Sequence, residues 1–188
     1  MIDSAEALRK GDRDAFRLLA SQHGERLYNA GLALCRDHTN AQDLVQETFA
    51  EAMRSAPRFE GRSAPYTWLY GIMRRRFLQG YRKNARFFRI LPLIGREAQT
   101  SKSEEMNEAG FSLDPMMAAV MRLPVKYREI LFLRYIENRR VAEIAMLTAV
   151  AEGTVKSRLH HALRRLRMII ESGPDPSGLP AAEKIDEM

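Results

Sequence analysis

The sequence predicts an all-α protein built as two small helical domains joined by a flexible linker. Three observations carry this. Apolar residues make up 45% of 188 residues, enough for a true core. They recur at helical spacing, and no alternating apolar–polar runs bounded by turn pairs mark strands. Charge is segregated along the chain: Gly71 to Arg96 holds eight basic residues and no acid, whereas Glu97 to Asp114 holds five acids against Lys102. Two basic blocks on an acidic polar tether, in a chain of net charge +6, point to a polyanionic partner, nucleic acid ahead of a membrane surface. The expected boundaries are 1–84 and 114–173 for the domains, 85–113 for the linker and 174–188 for an acidic flexible tail. No apolar run approaches bilayer length, and MIDSAEALRKGD does not read as a signal peptide. A single cysteine, Cys35, precludes an internal disulfide and suits a reducing cytoplasm, so a cytoplasmic protein without direct membrane insertion is expected.

In the first block, Asp12 or Asp14 caps a helix with Phe16, Leu19, Leu27, Ala30 and Leu34 on its apolar stripe; Gly24 and Gly31 weaken it without ending it. After a turn through Arg36, Asp37 and His38, Thr39 with Gln42 forms a capping box that opens a second helix to about Ser55. Ala41, Leu44, Val45, Thr48, Phe49 and Ala52 face its core. Asp43, Gln46 and Glu47 lie on the opposite face, with Glu51 one turn further, and no lysine four residues on neutralises them. Such a patch in a basic protein suits docking of a basic partner; plain solubilising charge is the alternative. Pro57 and Gly61 mark a loop from about Ala56 to Arg62, and Ser63 with Pro65 opens the third helix. There Tyr66, Trp68, Leu69, Tyr70 and Phe77 interleave with Arg74, Arg75, Arg76, Arg82 and Lys83. Aromatics among arginines are the chemistry of single-stranded DNA binding, rings taking unstacked bases and cations holding phosphates; core packing is the alternative for Trp68 and Leu69.

The tether begins apolar, from Phe87 to Ile94, and becomes polar and acidic from Gln99 to Gly110. The apolar part either extends the third helix up to Pro92 or covers a surface. In the second block, Asp114 caps a short helix with Pro115 at its first position, running to Leu123. Pro124 starts a longer helix with Tyr127, Ile130, Leu131, Leu133 and Ile136 inward. Then RVAEIAMLTAVAEGTVKSRLHHALRRLR, Arg140 to Arg167, reads as two short helices and a tight turn. Val141, Ile144, Ala145 and Leu147 form the first apolar face; Val155, Leu159, Ala162 and Leu166 form the second. Ser157, His160, His161 and Arg164 occupy the opposite face, flanked by Lys156, Arg158, Arg165 and Arg167, with no acid from Thr154 to Ile170. A helix apolar on one side and basic on the other, after a short helix and a turn, suits the major groove of DNA.

DLVQETF (Asp43 to Phe49), F-x-G (Phe59 to Gly61), YTWLYGI (Tyr66 to Ile72) and EIA…EGTVKSRLHHALRRLR together resemble an extracytoplasmic-function (ECF, group IV) bacterial RNA polymerase sigma factor of the sigma-70 family. Order, spacing and length agree over nearly the whole chain. The resemblance implies a first domain like sigma region 2, which binds polymerase core and opens the −10 element, and a second like region 4, which reads the −35 element. It implies that Asp43, Gln46 and Glu47 dock on the helical coiled coil of the β′ subunit, with further contact to β. It implies −10 DNA contacts from Phe59, Arg62, Tyr66, Trp68, Arg74, Arg75 and Gln79. It implies −35 base contacts from Lys156, Ser157, His160 and His161, and phosphate contacts from Thr154, Arg158, Arg164 and Arg165. It also implies control by an anti-sigma factor under envelope or oxidative stress.

Four departures stand out. Relatives often carry asparagine near Arg75, Asp or Asn at Gln79, and arginine at His161. Arginine does not copy asparagine's paired donor and acceptor, so the resemblance does not carry over which −10 base is read. Ala149 replaces the usual turn glycine, which costs about 1 kcal/mol where φ is positive.

Two other classes compete. An ordinary helix-turn-helix regulator explains Arg140 to Arg167 but leaves DLVQETF and the Trp68 block without purpose. A metalloenzyme or redox sensor would use Cys35 and His38 at C-x-x-H spacing, with His160 and His161, but no second ligand pair follows. No nucleophile with a base, phosphate loop or paired catalytic carboxylates stands out. No enzyme activity, cofactor or metal is expected.

Overall fold

The computed structural model describes residues 4–90 and 115–172, with side-chain surroundings for 6–81 and 115–172. Among the described residues every regular element is helical, and the chain divides into two compact units, 1–110 and 111–188.

The first unit comprises α1 (Ser4–Arg9), α2 (Arg13–Cys35), α3 (His38–Ser55), a 3-10 turn (Ala56–Arg58) and α4 (Pro65–Ile90). Asp12 caps α2 by accepting the Asp14 N–H, and α2 runs through both Gly24 and Gly31. At Gly31 a Cβ would lie 3.4 Å from Ala41, so glycine lets α2 and α3 approach closely there. Arg36 ends α2 in the left-handed region at φ 64, and its N–H bonds back to Leu32. Asp37, rather than the expected Thr39, then caps α3, accepting the Asn40 N–H at 2.6 Å. Asp competes well for this position because a carboxylate both accepts the N–H and faces the positive helix end.

The long helices α2, α3 and α4 pack on one another around Leu27, Ala30, Leu44, Thr48, Leu69, Tyr70 and Met73. The Thr48 hydroxyl donates to Leu44 O at 2.7 Å, so its burial leaves no polar group unsatisfied. The short α1, which the sequence reading did not anticipate, buries Leu8 against this unit beside the 3-10 turn. No proline or glycine interrupts the chain between Tyr81 and Leu91, and α4 continues to Ile90, across the expected boundary at residue 84.

The second unit comprises α5 (Pro115–Met121), α6 (Val125–Leu131), a π-helical turn (Phe132–Ile136), α7 (Val141–Thr148) and α8 (Glu152–Glu171). Leu123, Tyr127, Leu131 and Ala162 form its core, with Leu159, Leu166 and Ile169 packed against them. Ile136 departs from expectation: it is 60% exposed rather than inward, while Phe132 is buried. The cause is the π turn, in which the Glu137 N–H bonds to Phe132 O. Its wider winding rotates the residues after Leu133 out of α-helical register, turning Ile136 towards solvent. The expected cap Asp114, the stretch 91–113 and the tail 174–188 lie outside the described residues.

Ala149 ends α7 at φ 53, ψ 42, and its N–H bonds to Ala145 O. The left-handed region crowds a Cβ. Ala149→Gly is therefore expected to stabilise this unit by about 1 kcal/mol. A calorimetric scan of the full chain checks this as a higher midpoint for the C-terminal unit, and an unchanged or lower midpoint counts against it.

Candidate nucleic-acid interface

In the first unit, Ala41, Leu44, Thr48 and Ala52 anchor one face of α3, which turns Asp43, Gln46 and Glu47 outward. All three are exposed, as the helical spacing predicts. The acids are not left alone, however. Arg54 pairs with Glu51 at 2.9 Å along α3, and Arg76 crosses from α4 to lie 3.7 Å from Glu47 and 3.9 Å from Glu51. The expectation of an unneutralised patch is thus corrected. A test for lysine four residues on sees neither an i,i+3 arginine nor a cation from another helix.

Beside α3, the 3-10 turn and the left-handed Gly61 (φ 71) lead the loop into α4. Phe59 stacks on Trp68 with centroids 4.4 Å apart and planes 25° from parallel. Phe59 and Tyr66 are 5% and 3% exposed, so neither offers a free ring face in this state. Both rings pack within this unit, Phe59 on Trp68 and Tyr66 beside His23. Trp68 is half-buried, with Arg62, Arg75 and Gln79 exposed and Arg74 half-buried nearby in sequence. Arg62 also pairs with Glu60 at 2.5 Å.

Sequence reasoning missed what holds Tyr66. The Arg26 guanidinium of α2 lies 3.7 Å from its ring centroid, and His23 and Tyr70 pack 6.0 and 6.2 Å away. Burial, then the Arg26 charge, holds the His23 imidazole below its usual range. No spacing rule in the sequence joins α2 to α4, so nothing there signalled this cluster. His38, the other half of the Cys35-x-x-His38 pair, is engaged by the Tyr28 hydroxyl at 2.6 Å on Nδ1. Among the described residues no group of three His, Cys, Asp or Glu could hold a metal ion.

In the second unit, Val155 and Ala162 are fully buried, and this fixes the rotation of α8. Thr154, Lys156, Ser157, His160, His161, Arg164 and Arg165 are consequently exposed, and Arg158 is half-buried. The His160 and His161 rings meet edge-on at 5.7 Å. Arg165 lies 5.2 Å from the Tyr127 ring centroid, which steadies its stem against α6. The preceding α7 is held at its start by Glu143, which accepts the Arg140 N–H and an Arg139 N–H, each at 2.9 Å. The Arg140 N–H first, then the Arg139 hydrogen bond, keep this carboxyl below the usual carboxylate range. Thr148 and Ile144 are buried beneath the turn. The result is a short supporting helix, a left-handed turn and a longer helix that presents a continuous basic face.

Residues 19–87 match the family Sigma-70 region 2, and residues 113–166 match Sigma-70, region 4. The chain is 31% identical over 160 residues to the ECF RNA polymerase sigma factor SigL of Mycobacterium tuberculosis, covering 82% of this chain and 88% of that protein. It is 26% identical over 170 residues to SigW of Bacillus subtilis, covering 85% and 91%. In structure it is similar to the sigma factor RpoE of Bartonella quintana, in complex with the anti-sigma factor NepR. That match has a TM-score of 0.65 at 24% identity, covering 85% of this chain and 98% of that one. It is also similar to CnrH, in complex with the cytosolic domain of CnrY, with a TM-score of 0.64 at 21% identity and coverage of 91% and 97%. With both regions in order and a relative above 30% identity along most of its length, the chain belongs to the ECF RNA polymerase sigma factors of the sigma-70 family.

Proposed function

We propose that this group IV sigma factor docks on polymerase core through Asp43, Gln46 and Glu47 and reads promoters through two separate basic faces. As a sigma factor it directs promoter-specific transcription initiation, with RNA polymerase core and promoter DNA as partners. The −35 element is read by Lys156, Ser157, His160 and His161 in the major groove, while Thr154, Arg158, Arg164 and Arg165 hold phosphates. The −10 element is contacted and opened by Phe59, Arg62, Tyr66, Trp68, Arg74, Arg75 and Gln79, with the packed rings of Phe59 and Tyr66 also shaping the loop. Melting needs no chemical step: contacts to unstacked bases offset an unpairing cost of a few kcal/mol per base. The protein acts as a cytoplasmic binding factor rather than an enzyme. Residues 1–84 form the core-binding and −10 module, 85–113 the linker, 114–173 the −35 module and 174–188 the acidic tail.

The single observation that carries this reading is one chain holding an exposed acidic face on α3 and a basic recognition helix α8, each turned outward by a buried opposite face. Control by an anti-sigma factor is part of the proposal, supported by the similar fold of RpoE, whose structure was solved with one. Run-off transcription from a genomic promoter library, using sigma-free core with and without the protein, tests it. Transcripts appearing only with the protein and sharing an upstream motif are expected. Their absence, with a folded protein that binds DNA, would favour the ordinary helix-turn-helix regulator.

A further inference from the structure

We propose that Arg76 is a built-in competitor for the polymerase-docking face, and that this face extends along α3 to Glu51. The inference rests on the docking reading above. Glu47, exposed, and Glu51, half-buried, lie one turn apart on α3, continuing the line begun by Asp43. A basic partner that fits Asp43 and Glu47 therefore meets Glu51 next. Arg76 is not a member of that helix. It arrives from α4 and occupies the space between the two carboxylates.

The geometry of the pairing indicates what it does. At 3.7 and 3.9 Å the nitrogens are within ion-pair range but outside hydrogen-bond range, and Nε of Arg76 is shielded from water without a hydrogen-bond partner. A guanidinium placed to lock two helices would make short bidentate contacts with a carboxylate. This one instead screens two charges while forfeiting a hydrogen bond at a buried atom, which is costly to leave unmade. Glu47 and Arg76 keep 59% and 32% of their side-chain surface, so an incoming cation can reach the carboxylate without unfolding anything. The free chain thus holds an internal cation where the partner's cation must sit. Arg54, bonded to Glu51 at 2.9 Å on the same helix, is a separate and tighter neutraliser.

Competition of this kind has a signature that damage cannot imitate, because removing the competitor strengthens binding. Arg76→Gln and Arg76→Met in the full chain are each expected to tighten binding to sigma-free polymerase core about two- to fivefold, the range of an exposed ion pair. Arg76→Lys, which keeps the charge, should stay near the wild-type affinity. The gain should shrink at high salt, and it should vanish when Glu47→Gln and Glu51→Gln are combined with Arg76→Gln. Unchanged or weakened core binding by Arg76→Gln and Arg76→Met, or their failure to fold, overturns the proposal and makes Arg76 a structural or contact residue. Asp43→Ala with Glu47→Ala, measured alongside, reports on the docking reading separately: if that pair leaves core affinity untouched, the face itself is misassigned.

Discussion

Asp43→Ala combined with Glu47→Ala is expected to weaken binding to polymerase core about ten- to hundredfold while leaving binding to an isolated −35 duplex unchanged. The magnitude follows from removing two carboxylates from an interface whose partner charges then remain unpaired. Both residues are exposed on α3, and the core beneath them is made by Ala41, Leu44, Thr48 and Ala52, so the fold should lose little. The control is internal, because α8, the helix proposed to read −35, belongs to the other compact unit. Titration of labelled core with each full-length protein checks the outcome. The wild-type affinity should fall more steeply with salt than that of the double variant. A double variant that folds normally and binds core within twofold of wild type would remove the docking role from this face.

The second large effect separates two kinds of contact on α8. Lys156→Ala should cost about 1–3 kcal/mol at the preferred −35 sequence and flatten the preference at one base position. Arg164→Ala should weaken binding by a similar factor on every sequence and lower the salt slope by about one. Both residues are exposed on the same helix, so a general loss of charge would affect them alike. A panel of −35 duplexes, each measured at two or more salt concentrations, distinguishes the outcomes. Identical profiles for the two variants would mean that Lys156 also holds only phosphate.

Much of this protein was legible in advance because its helices are amphipathic and sequential. A period of 3.6 in apolar residues places Leu44, Thr48, Val155 and Ala162 inward, and the opposite faces then follow by geometry. The reading went astray where local rules compete or where partners come from distant parts of the chain. Asp37 and Thr39 are both good caps, and only the turn at Arg36 decides between them. Ile136 continues an α-helical stripe on paper, yet one π turn rotates it outward. The packing of Arg26 and His23 on Tyr66 joins α2 to α4, which no spacing rule announces. Arg76 reads as one of three arginines in a row, and only the packing of α4 on α3 brings it to Glu47. In each case the missing information was tertiary.

The stack of Phe59 on Trp68 has an optical consequence. Trp68 is the chain's sole tryptophan, so indole emission from the whole protein originates at the mouth of the loop that leads into α4. Its wavelength and intensity depend on the polarity of its surroundings and on the neighbouring ring, and the second unit contributes no indole background. Events at the recognition helix are dark in this channel, whereas any parting of the two rings changes the signal. The molecule thus carries an intrinsic fluorophore at the position where strand capture is proposed, and stopped-flow emission can time that step without a label.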